Sequence, residues 1–173
     1  MQPLWAATDF ARAIRRRMRF GEFSRAPLQL LRFELRGDFA ECDWLSRPED
    51  AWDASLPRPQ RDRKDSLQAL VDAMSMRELL FEALPEVQSA VLRAFRRPPA
   101  REPPELIILG MAGREAPYVL RVASVAMRAK LYGFCFCLEE GFLRPLAVEE
   151  RTEEFIPQQK TLSGRGGIGY GSK

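Results

Sequence analysis

The dipeptide Gly37-Asp38 separates two stretches of alternating apolar and polar residues, and this pattern constrains the fold more than any other feature of the chain. A two-residue loop with glycine at its first central position is typical of a β-hairpin, because glycine adopts a positive φ without strain. Since side chains in a strand alternate between two faces, the loop also sets the register over residues 28–45. The register predicts three apolar pairs on the face that packs on the core: Leu35 with Ala40, Phe33 with Cys42, and Leu31 with Trp44.

The opposite face of the same hairpin carries charged side chains. Arg32 is predicted to face Asp43, and Glu34 to face Glu41. Three neighbouring carboxylates are a candidate for metal binding or for glycosidase-like catalysis, both of which need a cleft and a perturbed pKa. The interleaved arginines favour the alternative, which is an exposed surface of ion pairs.

A strand–helix–strand–strand unit is predicted in residues 105–148. Three apolar runs are typical of strands, at residues 106–109, 134–138 and 142–148. Gly110 and Gly113 indicate a turn after the first of these strands, and residues 118–131 have the pattern of a helix. The turn is also a candidate phosphate site because it precedes a helix. Its spacing matches neither phosphate-binding glycine motif, so a simple tight turn is the favoured alternative.

The middle of the chain is predicted to hold a connection and two helices. Residues 46–63 are rich in proline and charged residues, which is typical of a long surface connection. We expect Trp52 to pin this connection to the body of the domain, and the less favoured alternative is a binding loop that presents this large aromatic residue. One helix is predicted to begin at Asp65 and another at Pro85, each with an apolar face.

Together these elements predict an α+β fold in a single domain. The hairpin and the strand–helix–strand–strand unit are expected to form a mixed sheet of about five strands, with about four helices packed on its faces. The predicted segments are a basic amphipathic N-terminal helix in residues 1–22, a core domain in residues 23–156 and a glycine-rich tail in residues 157–173.

The chain of 173 residues contains no histidine, which removes the commonest general base and the commonest metal ligand. No catalytic motif is recognisable, so we predict a protein that is not an enzyme and that holds no cofactor, metal or small-molecule ligand. An enzyme that works through carboxylates is the least favoured alternative. The three cysteines, at positions 42, 135 and 137, are expected to be buried, reduced and metal-free, as in a cytoplasmic protein. No apolar stretch reaches the ~18–20 residues that span a bilayer.

Residues 8–20 have the pattern of an amphipathic helix with one basic face. Four arginines recur at helical spacing on that face: Arg12, Arg15, Arg16 and Arg19. Either this arginine stripe is a solvated surface that pairs with carboxylates of the same protein, or it docks an acidic partner. The formal net charge is only +3 and does not by itself indicate a polyanionic partner.

The C-terminal tail contains Arg165 and Tyr170 among several glycines, a composition found both in RNA-contacting segments and in plain flexible ends. Residues 139–154 are acidic and could neutralise the basic helix within one molecule or between two copies. We predict a non-catalytic interaction or assembly subunit of a cytoplasmic multi-protein complex, which meets a protein partner or another copy of itself through the basic helix and the tail. The alternative is a nucleic-acid-binding accessory protein that uses the same arginines and the same tail.

Overall fold

The computed structural model describes residues 4–147, and the fold over this range is α+β, as predicted. A mixed sheet contains five strands in the order β1-β2-β3-β4-β5: Gln29–Arg36, Phe39–Leu45, Ser89–Arg96, Glu105–Gly113 and Phe134–Cys135. A separate two-stranded sheet pairs β6 (Cys137–Glu139) with β7 (Phe142–Arg144). The described residues form three α-helices, one fewer than predicted: α1 (Leu4–Arg17), α2 (Arg58–Ala83) and α3 (Val125–Leu131).

The hairpin of β1 and β2 forms around Gly37-Asp38, and Gly37 has the positive φ of 61° that its position requires. Two of the predicted apolar pairs are confirmed, as are both charged pairs on the opposite face. The pairing of Leu31 with Trp44 is wrong, because a bulge between Leu30 and Arg32 places Leu30 opposite Trp44 instead. The extra residue in the bulge leaves the Leu31 side chain 44% exposed.

Strands β2 and β3 run parallel and are joined by α2, so the three form a β-α-β unit. The helix begins at Arg58 rather than at Asp65, which shortens the predicted connection. Pro59 is compatible with this start, because amide groups in the first turn of a helix have no partner within the helix. The core lies between one face of the sheet and the three helices, with Phe10, Leu70 and Trp44 among its fully buried side chains.

The helix predicted from Pro85 is wrong, because residues 89–96 form β3 in the middle of the sheet. Ala90, Leu92 and Ala94 are fully buried, and Val91 between them is also buried. Apolar residues on both sides of Arg93 satisfy a helical period as well as a strand period. Pairing with β2 on one side and β4 on the other decides in favour of the strand, since both edges of β3 then have hydrogen-bond partners.

The C-terminal part of the described chain also departs from prediction. Gly110 lies within β4, not in a turn after it, and a side chain there would meet the ring of Phe134 at 2.5 Å. The helix predicted over residues 118–131 is confined to α3, and Ser124 caps its N-terminus. The predicted strand 134–138 is divided between the two sheets, and the strand predicted over 142–148 is shortened to β7. Residues beyond 147, including the predicted tail, lie outside the described part of the chain.

Candidate functional site

Helix α1 holds its apolar face on the core and its basic face towards solvent. Phe10, Ile14 and Met18 are buried, as the helical period predicted. The helix starts before Thr8 and ends at Arg17. Arg19 of the arginine stripe therefore lies beyond the helix, in the chain that passes Gln68 of α2.

The arginines of the stripe are all exposed, but they differ in their contacts. Arg12 forms an ion pair with Asp9 at 2.9 Å. The guanidinium of Arg19 lies 5.2 Å from the ring centroid of Phe20. Arg15 and Arg16 form no ion pair within residues 4–147, whereas the neighbouring Arg17 pairs with Glu82. The hydrogen bond from Arg17 is the main cause that lowers the pKa of Glu82, and the charge of Arg16 also contributes. Arg15 is therefore less engaged than Arg16.

A groove of about 880 Å³ opens beside the end of α1. Its apolar walls come from Phe20 and Trp52, whose side chains are 60% and 81% exposed. The charged groups around it are of both signs: Glu22, Arg25, Asp50 and Lys64. Large aromatic side chains that remain in water while surrounded by charged groups are typical of a protein interaction surface. We call this feature the aromatic groove.

Trp52 is held in place by backbone contacts rather than by burial. Asp50 accepts hydrogen bonds from the backbone amides of Arg25 and Trp52, at 3.0 and 3.1 Å. The bond from Arg25 is the main reason that the pKa of Asp50 lies below its usual value, followed by the bond from Trp52. The prediction that Trp52 pins its connection to the domain is wrong. Its position is set by the Asp50 cap on a short 3-10 helix (Ala51–Asp53), which leaves the indole ring in solvent.

A buried ion pair holds the chain segment that carries Phe20 and forms part of the aromatic groove. Arg47 pairs with Asp72 of α2 through two hydrogen bonds of 2.8 and 3.0 Å. The same guanidinium donates to the carbonyls of Met18 and Ala26, at 2.9 and 2.7 Å. Burial raises the pKa of Asp72, and the hydrogen bond and charge of Arg47 oppose that shift. Arg47 therefore ties the chain that carries Phe20 to the sheet and to α2.

The carboxylate group on the outer face of the sheet forms ion pairs. Arg93 contacts Glu41 at 3.1 Å and Asp43 at 3.0 Å, and Arg32 contacts Glu34 at 2.6 Å. No group of three or more potential metal-ligating side chains lies close enough to hold an ion within residues 4–147. The geometry agrees with the interpretation of an ion-pair surface.

The segment from Gly110 to Arg114, considered above as a candidate phosphate site, ends in an arginine that caps α2. Arg114 donates hydrogen bonds to the carbonyls of Phe81, Leu84 and Val87, at 2.9, 2.6 and 2.8 Å. These carbonyls belong to the last turn of α2 and the chain after it, where helices leave acceptors without partners. The arginine is thereby used in capping α2.

The cysteines differ in burial, contrary to the prediction that all three are buried. Cys42 is fully buried, whereas Cys135 and Cys137 are partly exposed. Burial raises the pKa of the Cys42 thiol, which makes it less reactive. We expect a thiol reagent to label Cys135 and Cys137 in the native protein and to reach Cys42 only after denaturation. Mass spectrometry of labelled peptides checks this, and Cys42→Ser provides the control. Labelling of all three at equal rates would contradict it.

Comparison of the chain with protein-family models, with curated proteins and with solved structures finds no match. Function must therefore be inferred from the geometry alone. The candidate site is the aromatic groove with Phe20 and Trp52, and Arg19 joins it because its guanidinium lies over the Phe20 ring. Arg15 and Arg16 lie on the neighbouring helix α1 and do not line the groove. Sequence reasoning selected the three arginines, considered Trp52 in a binding loop only as the less favoured alternative, and missed Phe20. The only signal was the Asp50-x-Trp52 spacing, which suits a capped turn.

Two further predictions concern the C-terminal tail and the absence of a membrane-spanning stretch. Arg165 and Tyr170 of the tail lie outside the described residues, as do Glu149, Glu150, Glu153 and Glu154 of the acidic segment. Among residues 4–147, none of the helices has the length and apolar character needed to cross a membrane.

Proposed function

We propose that this protein is a non-catalytic interaction subunit that binds a segment of a partner protein in the aromatic groove. Phe20 and Trp52 would contact apolar side chains of the segment, while Arg15, Arg16 and Arg19 would attract its acidic side chains. The observation that carries the proposal is the exposure of Trp52, a large aromatic residue that is 81% exposed while Asp50 caps its backbone amide. Tryptophan and arginine are the residue types that most often dominate the energy of protein interfaces.

Charge around the groove favours a protein over a nucleic acid. Glu22 and Asp50 line the groove, and the lowered pKa of Asp50 keeps it ionised at neutral pH. Lys64 is already paired with Asp53 at 2.6 Å. A phosphate backbone in the groove would face these carboxylates, whereas a peptide carries charges of both signs.

The alternative function is that of a nucleic-acid-binding accessory protein. Exposed aromatic rings beside arginines also suit single strands, because bases stack on the rings while cations contact phosphates. Arg165 and Tyr170 would serve this function as additional contacts. The proposed setting, a multi-protein complex in the cytoplasm, belongs to the first function and requires its own test by localisation.

Replacement of Trp52 by alanine is the test of the proposed function. Peptides selected from a random displayed library on the full chain should combine an aromatic or aliphatic residue with nearby Asp or Glu. Trp52→Ala should weaken their binding by about 30-fold, since hot-spot truncations cost about 2 kcal/mol or more. Titration calorimetry measures the loss, and a thermal melt should be unchanged because the ring is exposed.

Tyr118→Ala is the matched control, because Tyr118 is also an exposed aromatic residue but lies away from the groove, at 73% exposure. The charge contribution is tested by reversing Arg15 and Arg16 to Glu, with Arg101 and Arg121 reversed as the control pair. A short DNA single strand titrated over a salt series separates the alternatives. Tight binding that depends on Trp52 and weakens steeply with salt would replace the proposal by the nucleic-acid function.

A further inference from the structure

A second cavity, separate from the aromatic groove, lies at the carboxyl ends of β2 and β3. Its volume is about 710 Å³, within the range of small-molecule sites in proteins. Parallel strands joined by a helix end at the same edge of a sheet, and such edges commonly hold ligand sites. Leu45, Ala69, Ile107 and Leu143 form an apolar floor, and each is at most 5% exposed. We call this cavity the strand-end cleft.

One wall of the strand-end cleft is a face of α2. Asp62, Asp65, Ser66 and Ala69 line it at helical spacing. The hydroxyl of Ser66 accepts a hydrogen bond from the Leu143 amide at 3.0 Å, which fixes β7 against the helix. Opposite, the guanidinium of Arg96 donates to the Leu143 carbonyl at 2.8 Å. The cleft is thus preformed and held from both sides.

Most charged side chains that line the cleft already have a partner. Their ion pairs join carboxylates and arginines of the described chain: Glu49 with Arg61 at 3.2 Å, Asp62 with Arg58 at 3.8 Å, Glu105 with Arg96 at 3.1 Å, and Arg47 with Asp72 at 2.8 Å. Within residues 4–147, this pairing leaves the carboxylate of Asp65 and the guanidinium of Arg97 without an ion pair. The cleft therefore presents one free charge of each sign above an apolar floor.

The surroundings of Asp65 favour a bound cation. Burial is the main cause that raises the pKa of Asp65 to about 6, and the charges of Glu49, Asp53 and Asp62 raise it further. Lys64 lowers it, but that ammonium group pairs with Asp53. A half-buried carboxylate among other carboxylates gains more from a cationic ligand than an exposed one does.

We propose that the strand-end cleft binds a small zwitterion of amino-acid or dipeptide size. Its ammonium group would pair with Asp65, its carboxylate with Arg97, and its apolar side chains would lie on Leu45, Ile107 and Leu143. An apolar pocket with a few polar groups that fix orientation is the usual form of a small-molecule site. This ligand is distinct from the protein segment assigned to the aromatic groove, so either proposal stands if the other fails.

The probe for this site is the dipeptide leucyl-phenylalanine, compared with its N-acetylated form, which lacks the cation, and its C-terminal amide, which lacks the anion. Titration calorimetry on the full chain should give a Kd of about 1 mM or tighter for the dipeptide. Each blocked form should bind about tenfold more weakly. If the N-acetylated form binds as tightly as the dipeptide, or neither binds at millimolar concentration, the proposal is overturned.

Single substitutions test which side chain binds the ammonium group of the dipeptide and which binds its carboxylate. In Asp65→Asn, the dipeptide and its N-acetylated form should bind with equal affinity. In Arg97→Gln, the dipeptide and its C-terminal amide should bind with equal affinity. Asp38→Asn and Arg101→Gln are matched controls, because both residues are exposed and lie outside the cleft. Loss of binding in the controls as well would show a nonspecific charge effect and overturn the assignment.

The pH dependence supplies a readout that needs no variant. The charged groups that line the cleft or act on Asp65 belong to α2, to the chain after β2, or to the segments at the end of β3 and the start of β4: Arg47, Glu49, Asp53, Arg58, Asp62, Lys64, Arg96, Arg97 and Glu105. Burial raises the pKa of Asp65 to about 6, so its negative charge is lost in mild acid. Affinity should therefore fall as the pH decreases through about 6, and Asp65→Asn should abolish this dependence. A wild-type affinity that is constant over this range would contradict the role of Asp65.

Discussion

Replacement of Arg47 by alanine is expected to lower the free energy of unfolding by about 3–5 kcal/mol, because removal of one partner leaves a buried charge uncompensated. The side chains of Arg47 and Asp72 are only 3% and 4% exposed. Alanine at position 47 would also remove the donor to the carbonyls of Met18 and Ala26, which are held by no other side chain in this network. Urea denaturation of wild type and variant measures the loss as a change of midpoint at constant slope.

Arg12→Ala is the matched control for this experiment. Arg12 also forms an ion pair with an aspartate, at nearly the same distance of 2.9 Å, but its side chain is 73% exposed. Its removal should cost less than about 1 kcal/mol. The Arg47–Asp72 pair differs from this control in its burial and in the further hydrogen bonds of Arg47 to Asp72, Met18 and Ala26, so equal losses would mean that the pair is hydrated and contributes no more than a surface contact.

The Arg47→Ala variant should also depend on pH in a defined direction. Without Arg47, only the hydrogen bond from Gln68 opposes the effect of burial on Asp72, so the folded-state pKa of this carboxyl rises further above its unfolded value. A group of that kind destabilises the folded protein at neutral pH, and the penalty shrinks as the pH falls and the carboxyl is protonated. The difference between variant and wild type should therefore be smaller in mild acid than at neutral pH. Binding in the aromatic groove should weaken in parallel, since Arg47 holds the chain that carries Phe20.

Replacement of Trp44 by alanine is expected to cost about 3–5 kcal/mol, because it leaves a large cavity in the core. Trp44 is fully buried in β2, with Leu30 opposite on β1 and Ala94 opposite on β3. Trp44 therefore lies where β2 pairs with both β1 and β3. Chemical denaturation measures the loss, and a value below about 1 kcal/mol would show that the residue does not face the core.

Trp44→Phe and Trp52→Ala provide two comparisons for the Trp44→Ala result. Trp44→Phe should cost about 1–2 kcal/mol, less than alanine, because the indole Nε1 of Trp44 has no hydrogen-bond acceptor within residues 4–147 and its removal breaks no bond. Trp52→Ala should change stability by less than about 0.5 kcal/mol, since that ring is in solvent. Alanine should thus cost much stability at position 44 and almost none at position 52. Of these two variants, Trp52→Ala is the one that should lose partner binding.

Residues near in sequence determined the parts of the fold that were predicted well. Gly37-Asp38 set the hairpin register because a two-residue loop leaves one way to pair the flanking strands. The apolar period of α1 likewise identified Phe10, Ile14 and Met18 as its buried face. In both cases the information lies within a few residues, where backbone geometry and side-chain period act directly.

Tertiary structure alone decided the assignment of β3 and the composition of both candidate sites. The apolar residues between Ala90 and Phe95, interrupted by Arg93, fit a helical period as well as a strand period, and the segment becomes a strand because β2 and β4 offer hydrogen bonds on both edges. Trp52 lies in a turn that Asp50 caps and stays in solvent, and Asp65 and Arg97 line one cleft because the parallel strands β2 and β3 end at the same edge of the sheet. The sequence determined the residue types, their local periods and the tight turn at Gly37-Asp38. Proximity between residues that are far apart in the chain, and the burial that follows from it, arise only when the sheet and helices pack together.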